Sequence, residues 1–446
     1  MVKTLSTSGQ AEAPNRPFCV EYYWENWRQC MAGVKREDRP HLLSSGVSQF
    51  SQSPVLNEAA MGLLRYSISS GQLSRYHLND RCAAQIAEIL CLYLERDDLT
   101  AENIVYCYGS TDALDMLFEY CRMEGIRQGA IPLASYYGYE LAILGNGLHI
   151  DHYYGEGVAS SSGQVREKKP KERRFLLRNV PEGISGAQNI EPPSHLSDTE
   201  CDFVIVDTTC QTMDVAGART RTELRKVANE RDLINSCLLM TLSKDLGLPG
   251  LRSGIVITRD QKLLSFLKKR VEQRYVQVGP LSCYAMLFYA YCLAVESGVA
   301  KEHAGLAPLL DEMALFESGR PIFEREATEI FARQREVIRT NFVTLQDKLT
   351  DIFENLEAFR SGFTCFPNLR FLSPTPERTL AFSKHLSERS KVWVNTMHAF
   401  GGTQRAWQEI YPERIGLRIN LSWENNFADY LSRLRQGLDS WSDASS

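Results

Sequence analysis

A lysine flanked by hydroxyls at the end of an apolar run is the most informative feature of this 446-residue sequence. The run CLLMTLS (237–243) leads into TLSKDLGLPGLRSG (241–254), so Lys244 sits where a strand gives way to a glycine-punctuated loop. A lysine is costly there. Thr241 and Ser243 beside it, and Arg252 eight positions on, are suited to hold a phosphate group next to a nucleophilic amine. An amine desolvated near other cations has a lowered pKa and can form a Schiff base with a carbonyl. Other chemistry-bearing residues also end apolar runs: Asn179 closes RFLLRN (174–179) and Asp207 closes FVIVD (203–207). A buried aspartate without a cationic neighbour is expensive, so Asp207 calls for one. Gly109, Ser110 and Thr111 mark the change from the strand-like NIVYC (103–107) to a helix-like run. Backbone N–H groups and hydroxyls at such a turn hold anions.

These groups need a scaffold, and the hydrophobic pattern supplies one. RCAAQIAEILCLYLERDD (81–98) is an amphipathic helix. The short apolar runs QGAIPLAS (128–135), LHIDHYY (148–154), RFLLRN (174–179), CDFVIVDTT (201–209), CLLMTLS (237–243) and SGIVIT (253–258) alternate with helical or loop segments. That alternation predicts an α/β fold with a mostly parallel sheet covered by helices on both faces, and such sheets bind ligands beyond the carboxyl ends of their strands. Residues 262–345 read as helical. NLRFLS (368–373), VWVNTMHAF (392–400) and GLRINLS (416–422) then read as strands and NFADYLSRLRQGLDSW (426–441) as a helix, which predicts a smaller α+β domain. At the other end, FCVEYYWENWRQCM (18–31) reads as a short helix after a polar leader.

Composition narrows the function classes. Hydrophobic residues are 43% and charged residues 24%, ordinary globular usage that predicts sizeable cores. The formal net charge is -5, which leaves no global cationic field for nucleic acid. The basic stretch REKKPKERR (166–174) is read as a solvated connection, because no aromatic residue interrupts it. No window is apolar enough to span a membrane, and MVKTLSTSGQAEAPNRP lacks the apolar region of a secretory signal, so the expected location is cytoplasmic. The 12 cysteines include no C-x-x-C pair and read as buried hydrophobes in a reduced compartment, with no metal site.

The segment around Lys244 resembles the cofactor-lysine motif of the pyridoxal-phosphate-dependent aminotransferases of class I/II, the aspartate aminotransferase fold (fold type I). The resemblance implies that Lys244 carries pyridoxal 5'-phosphate as a Schiff base and then acts as the proton-transfer base, with Arg252, Thr241 and Ser243 at or beside the phosphate. GSTDAL (109–114) is similar to the family's phosphate-cup turn, adding Ser110 and Thr111. ASYYGYE (134–140) resembles the segment supplying the ring that stacks on the pyridine, with Tyr136 favoured over Tyr137 and Tyr139. Asp207 takes the place of the carboxylate that pairs with the pyridine nitrogen, Asn179 that of the asparagine bound to the phenolic oxygen, and Arg418 in GLRINLS that of the arginine gripping the substrate α-carboxylate. Tyr76 matches a tyrosine that reaches the phosphate of a neighbouring subunit, which implies a homodimer. The family's fold implies a three-layer α/β/α large domain at 61–315, a small domain at 316–446, and residues 1–60 as an arm and part of the small domain.

Two departures stand out. NVPEGISG (179–186) replaces the usual N-P-x-G, and Cys210 occupies the position three after Asp207 where a tyrosine is usual. A thiol is a weaker donor than a phenol. The expected activity is transfer of an amino group between an amino acid and a 2-oxo acid. The alternative is a pyridoxal-phosphate lyase or cyclase performing β/γ-elimination or cyclisation. A non-catalytic regulator carries a DNA-binding domain ahead of this fold, and the short polar N-terminus is expected to leave no room for one. Which of Tyr76, His77, Tyr137 or His398 faces the substrate stays open.

Overall fold

Strand β1 (His41–Leu42) and helices α1 (Pro54–Ser69) and α2 (Asp80–Leu94) precede the main sheet. The computed structural model describes residues 27–28, 31, 40–43, 49–50, 53–71, 73, 80–153, 173–181, 184, 200–212, 215, 219–317, 319–354, 356, 359 and 361–441. Next come β2 (Ile104–Cys107), α3 (Ser110–Met123), β3 (Gln128–Pro132), α4 (Tyr137–Gly145), β4 (His149–Tyr153), β5 (Arg174–Asn179) and β6 (Phe203–Asp207). They are followed by α5 (Arg219–Glu230), β7 (Ser236–Thr241), β8 (Gly254–Ile257), α6 (Gln261–Tyr275) and α7 (Pro280–Glu296).

The sheet has seven strands in the order β2-β8-β7-β6-β5-β3-β4, and only β8 runs against the others. Its strands read as continuous apolar runs because both faces are covered. Val105, Phe175, Leu177, Phe203, Ile205 and Leu239 point into one core with α3, α4 and α6. Leu176, Val204, Val206, Leu238 and Met240, one residue out of phase, point into the other with α2 and α7. Helix α7 is buried from Ser282 to Val295, the mark of a helix enclosed on all sides.

After the short helices α8 (Val299–Glu302) and α9 (Pro308–Glu312), the 30-residue α10 (Arg320–Leu349) leads to β9 (Thr364–Cys365), β10 (Asn368–Arg370), α11 (Pro376–Ser390), β11 (Val392–Trp393), α12 (Gln404–Ile410), β12 (Arg414–Gly416), β13 (Ile419–Asn420) and α13 (Phe427–Asp439). The strands here are shorter than the sequence suggests. VWVNTMHAF is a strand for only two residues before a 3-10 turn at Met397–Phe400. GLRINLS is broken into β12 and β13, with Arg418 in the gap, because Asn395 and Thr396 take its backbone: Arg418 N–H donates to Asn395 O at 3.1 Å and Leu417 bridges Thr396. β1 pairs in parallel with β11, so the chain's first strand joins the last third of the molecule. Of the aromatic segment 18–31 only residues 27, 28 and 31 are described, all helical.

Candidate functional site

Parallel pairing puts the chemistry at one end of the sheet. Asn179 and Asp207 are register partners at the ends of β5 and β6, and Thr241 ends β7 opposite Gly254 of β8. The chain then turns through Lys244 to Arg252, whose left-handed backbone (φ 47, ψ 53) closes a 3-10 turn at Pro249–Leu251. Cys107 of β2 faces Gly254, so the turn at Gly109 meets the Arg252 loop across the sheet edge.

That meeting forms a cradle. Gly109 caps α3 with φ +85, and a Cβ on it would stand 3.3 Å from Arg252 Nη2, while a Cβ on Gly254 would stand 3.1 Å from Gly109 Cα. Arg252 Nη2 also donates to Tyr108 O at 3.2 Å, which holds the guanidinium at the first turn of α3 beside Ser110 and Thr111. Thr241 Oγ1 donates to Ser253 O at 2.8 Å and lies 3.0 Å from Ser243 Oγ, fixing both hydroxyls on the same loop. A helix N-terminus, a guanidinium and small hydroxyl side chains are the donor set an anionic phosphate requires.

Asp207 is buried and serves as a collecting point for hydrogen bonds. Thr209 donates from its N–H at 3.0 Å and from its hydroxyl at 2.5 Å to Oδ1, and Tyr139 OH donates to Oδ2 at 2.6 Å. Burial raises its pKa, with these donors and the field of Lys244 acting the other way. Asn179 Nδ2 donates one N–H to Tyr139 OH at 2.8 Å and keeps a second, while its Oδ1 is buried without a partner among the described residues. A carboxylate with no salt-bridge partner among the described residues and a half-used amide, side by side at strand ends, suit an aromatic ring carrying a basic nitrogen and an oxygen substituent. The residues fit pyridoxal phosphate.

Lys244 is lowered in pKa, first by burial; Arg418 and Arg252 push the same way, and Cys210 and Asp207 oppose them. The loop thus brings the amine within the fields of Arg252 on the same loop and of Asp207, Cys210 and Arg418 from elsewhere in the chain. Cys210 is buried, with φ 75. Arg418 comes from the far side of the cleft, 7% exposed, its guanidinium carbon 4.6 Å from the centre of the Phe400 ring.

Tyr136 precedes α4. Its ring stands edge-on to Tyr139 at 5.5 Å and tilted to Tyr137 at 4.8 Å, and a Cβ on Gly138 would lie 2.3 Å from it. Tyr137 feels the fields of Arg418 and Arg28, although burial is the main reason its pKa rises. Tyr76 and His77 lie outside the described residues. His398 is buried against Thr379, Nδ1 to Oγ1 2.9 Å. The hydrogen bond from Tyr139 to Asp207 was not foreseen, although Tyr139 follows Tyr136 by three positions, the spacing that places both on one side of a helical turn. Among the described residues no group of three or more ligands suits a metal, and no helix is long and apolar enough to cross a membrane.

Residues 200–287, which include Asp207, Cys210, Lys244 and Arg252, match the family model of aminotransferase class I and II. No curated protein matches the chain by sequence. Solved structures match it over nearly its whole length. Aspartate aminotransferase of Thermotoga maritima superposes with a TM-score of 0.68 at 14% identity, covering 94% of this chain and 96% of that one. A double mutant of the Thermus thermophilus aspartate aminotransferase gives 0.65 at 15%, covering 98% and 100%. A Methanococcus jannaschii protein described as similar in its active site to kynurenine aminotransferases gives 0.65 at 16%, covering 94% and 97%. At these identities the superpositions establish the fold, that of the aspartate aminotransferases, and residues 200–287 are similar to the class I and II aminotransferase family.

Proposed function

We propose that the protein transfers an amino group between an amino acid and a 2-oxo acid, with Lys244 as the residue that holds pyridoxal 5'-phosphate and later moves the substrate proton. The observation that carries this reading is the half-buried Lys244 set within the electrostatic reach of Asp207, Arg252 and Arg418. When bound, the cofactor supplies an electron sink for the bond broken at the substrate Cα. Asp207 holds a proton on the ring nitrogen, and its Tyr139 and Thr209 donors keep the carboxylate aimed. Asn179 would donate to the ring's oxygen substituent, and the Tyr136 ring would cover its face. Arg252, Ser110, Thr111, Thr241 and Ser243 hold the phosphate, with Tyr76 of a second copy as a further donor. Arg418 grips the α-carboxylate as a bidentate fork, which orients the substrate as well as binding it. The lowered pKa of Lys244 keeps more of the amine in its neutral form, ready to take the Cα proton.

The neighbours named for aspartate and kynurenine aminotransferases favour transamination over elimination or cyclisation. A homodimer agrees with the exposed apolar stripe Met61, Leu64 and Ile68 on α1. The ten described cysteines are free, which agrees with a cytoplasmic location. The same reading divides the chain into a large domain at 61–315 and a small one at 316–446 joined by residues 1–60. The test is a screen of amino donors on the cofactor-loaded protein without added 2-oxo acid. Stoichiometric pyridoxamine phosphate supports transamination. Repeated turnover without an acceptor refutes it, and so does a Lys244→Ala variant that retains full activity.

A further inference from the structure

One buried carboxylate joins the two halves of the cleft and takes no part in the chemistry above. Glu140, on the first turn of α4, is 2% exposed. Its Oε1 accepts the N–H of Gly402 at 2.6 Å and lies 2.6 Å from His152 Nε2 on β4. The residues before Gly402 are moulded to this carboxyl. Gly401 has φ +80, and a Cβ on it would lie 2.4 Å from Glu140 Oε1; Gly402 has φ +84, and a Cβ there would strike Leu133 and Trp407 at 2.7 Å. Two further bonds close the contact: Ser135 N–H donates to Phe400 O at 3.3 Å, and Trp407 Nε1 donates to Gly401 O at 2.7 Å. Phe400, one residue before this turn, is the ring beneath the Arg418 guanidinium.

We propose that Glu140 is a positioning residue for the substrate-carboxylate site: by clasping the Gly401–Gly402 turn onto α4 it fixes Phe400, and through Phe400 the plane of Arg418. The inference rests on the reading of Arg418 as the carboxylate-binding residue. A guanidinium binds a carboxylate bidentately only in a fixed plane, and Arg418 is held from its backbone by Asn395 and from its face by Phe400. The backbone contact lies within the same half of the molecule, whereas the facial contact is tied across the cleft to Glu140. Losing the bond to Glu140 loosens the turn, and with it the Phe400 face against which Arg418 packs.

The test uses calorimetric binding of propionate and 3-phenylpropionate to the cofactor-loaded protein, since neither has an amino group with which to react. Glu140→Ala is expected to weaken both about tenfold, the equivalent of one charge-assisted hydrogen bond. Glu140→Gln, which keeps an acceptor oxygen, is expected to recover binding to within about threefold, because neutral bonds are roughly half as strong. In single-turnover reaction with an amino donor the half-saturation concentration rises in Glu140→Ala while the limiting rate stays within twofold. Binding of both acids by Glu140→Ala within twofold of the parent overturns the proposal, as does an equal loss in the Gln variant. Should the Ala variant not fold, Gly401→Ala, whose new methyl displaces the carboxyl, carries the same test. Arg418→Leu separates the two readings. If it leaves acid binding intact, the assignment of Arg418 itself fails; if it abolishes binding while the Glu140 variants bind normally, only the role of Glu140 fails.

Discussion

Replacing Tyr139 by phenylalanine tests the architecture behind Asp207. The ring stays, so the change removes one oxygen that donates to Asp207 at 2.6 Å and accepts from Asn179 at 2.8 Å. A hydrogen bond to a charged group contributes about 1.5–3 kcal/mol and a neutral one about 1 kcal/mol, which puts the loss near 2–4 kcal/mol when Asp207 is ionised. The size should depend on pH in a defined direction. Tyr139 lowers the Asp207 pKa against the larger, upward effect of burial, so the variant's carboxyl holds its proton to a higher pH. At low pH both proteins hold a neutral carboxyl and the difference shrinks to the loss of the neutral bonds, about 1 kcal/mol from Asn179 among them; as pH rises and the parent ionises, the variant must keep its proton or bury an ion with one donor fewer. Urea unfolding of the cofactor-free protein at a series of pH values measures this. A stability change below about 0.5 kcal/mol, or one that does not grow with pH, refutes the idea that the phenol supports the ionised carboxylate.

Three further outcomes are expected. Gly109→Ala sets a methyl 3.3 Å from the Arg252 guanidinium at a backbone φ of +85, so it should weaken pyridoxal phosphate more than pyridoxal, with a drop of about tenfold or more in phosphate-dependent affinity by absorbance titration. Asp245, beside Lys244, is wholly buried, accepts from Tyr289 and Thr212, and has its pKa raised by burial to about 6 from 3.8. The folded protein holds that proton to a higher pH than the unfolded chain, so stability falls as pH climbs from about 4 to 6, by up to about 3 kcal/mol. Asp245→Asn should remove that slope from a set of urea curves. The lowered pKa of Lys244 has the opposite consequence, because the unfolded chain binds more protons: cofactor-free stability should rise with pH from the lowered value towards 10.5, relative to Lys244→Met.

The strand ends were legible because the parallel sheet buries each strand on both faces. An apolar run stopping at Asn179 or Asp207 marks the sheet's edge in the sequence itself, whereas CLLMTLS, read as a strand through Ser243, ends two residues earlier at Thr241. The reversal of β8 was not legible, since SGIVIT is equally apolar in either direction. Nor was the breaking of GLRINLS, which depends on Asn395 and Thr396 capturing the backbone around Arg418 from a segment twenty residues earlier. Tyr139 and Glu140 escaped for a related reason. Their spacing puts both on the first turn of the helix that follows Tyr136, but which of them turns to Asp207 and which to Gly402 is set by how α4 sits on the sheet, a tertiary choice absent from local pattern.

Cys210 is the departure with most bearing on the chemistry, and the charges around Lys244 say why the site tolerates it. A phenol three residues after Asp207 would have offered a strong donor to the ring's oxygen; here that strand end offers a weak one. Two groups remain to compensate. Asn179 has an N–H to spare, since Tyr139 uses only one. Lys244, meanwhile, is kept low in pKa mainly by burial, with Arg418 and Arg252 adding to that effect and Asp207 and Cys210 opposing it. The lowering therefore does not depend on a neighbouring phenol. On the proposed assignments, a phosphate at Arg252 and a substrate carboxylate at Arg418 would cancel the charge of both cations. Filling both sites would remove the two positive fields acting on the amine, which would raise its pKa and make Lys244 a stronger base once substrate is bound.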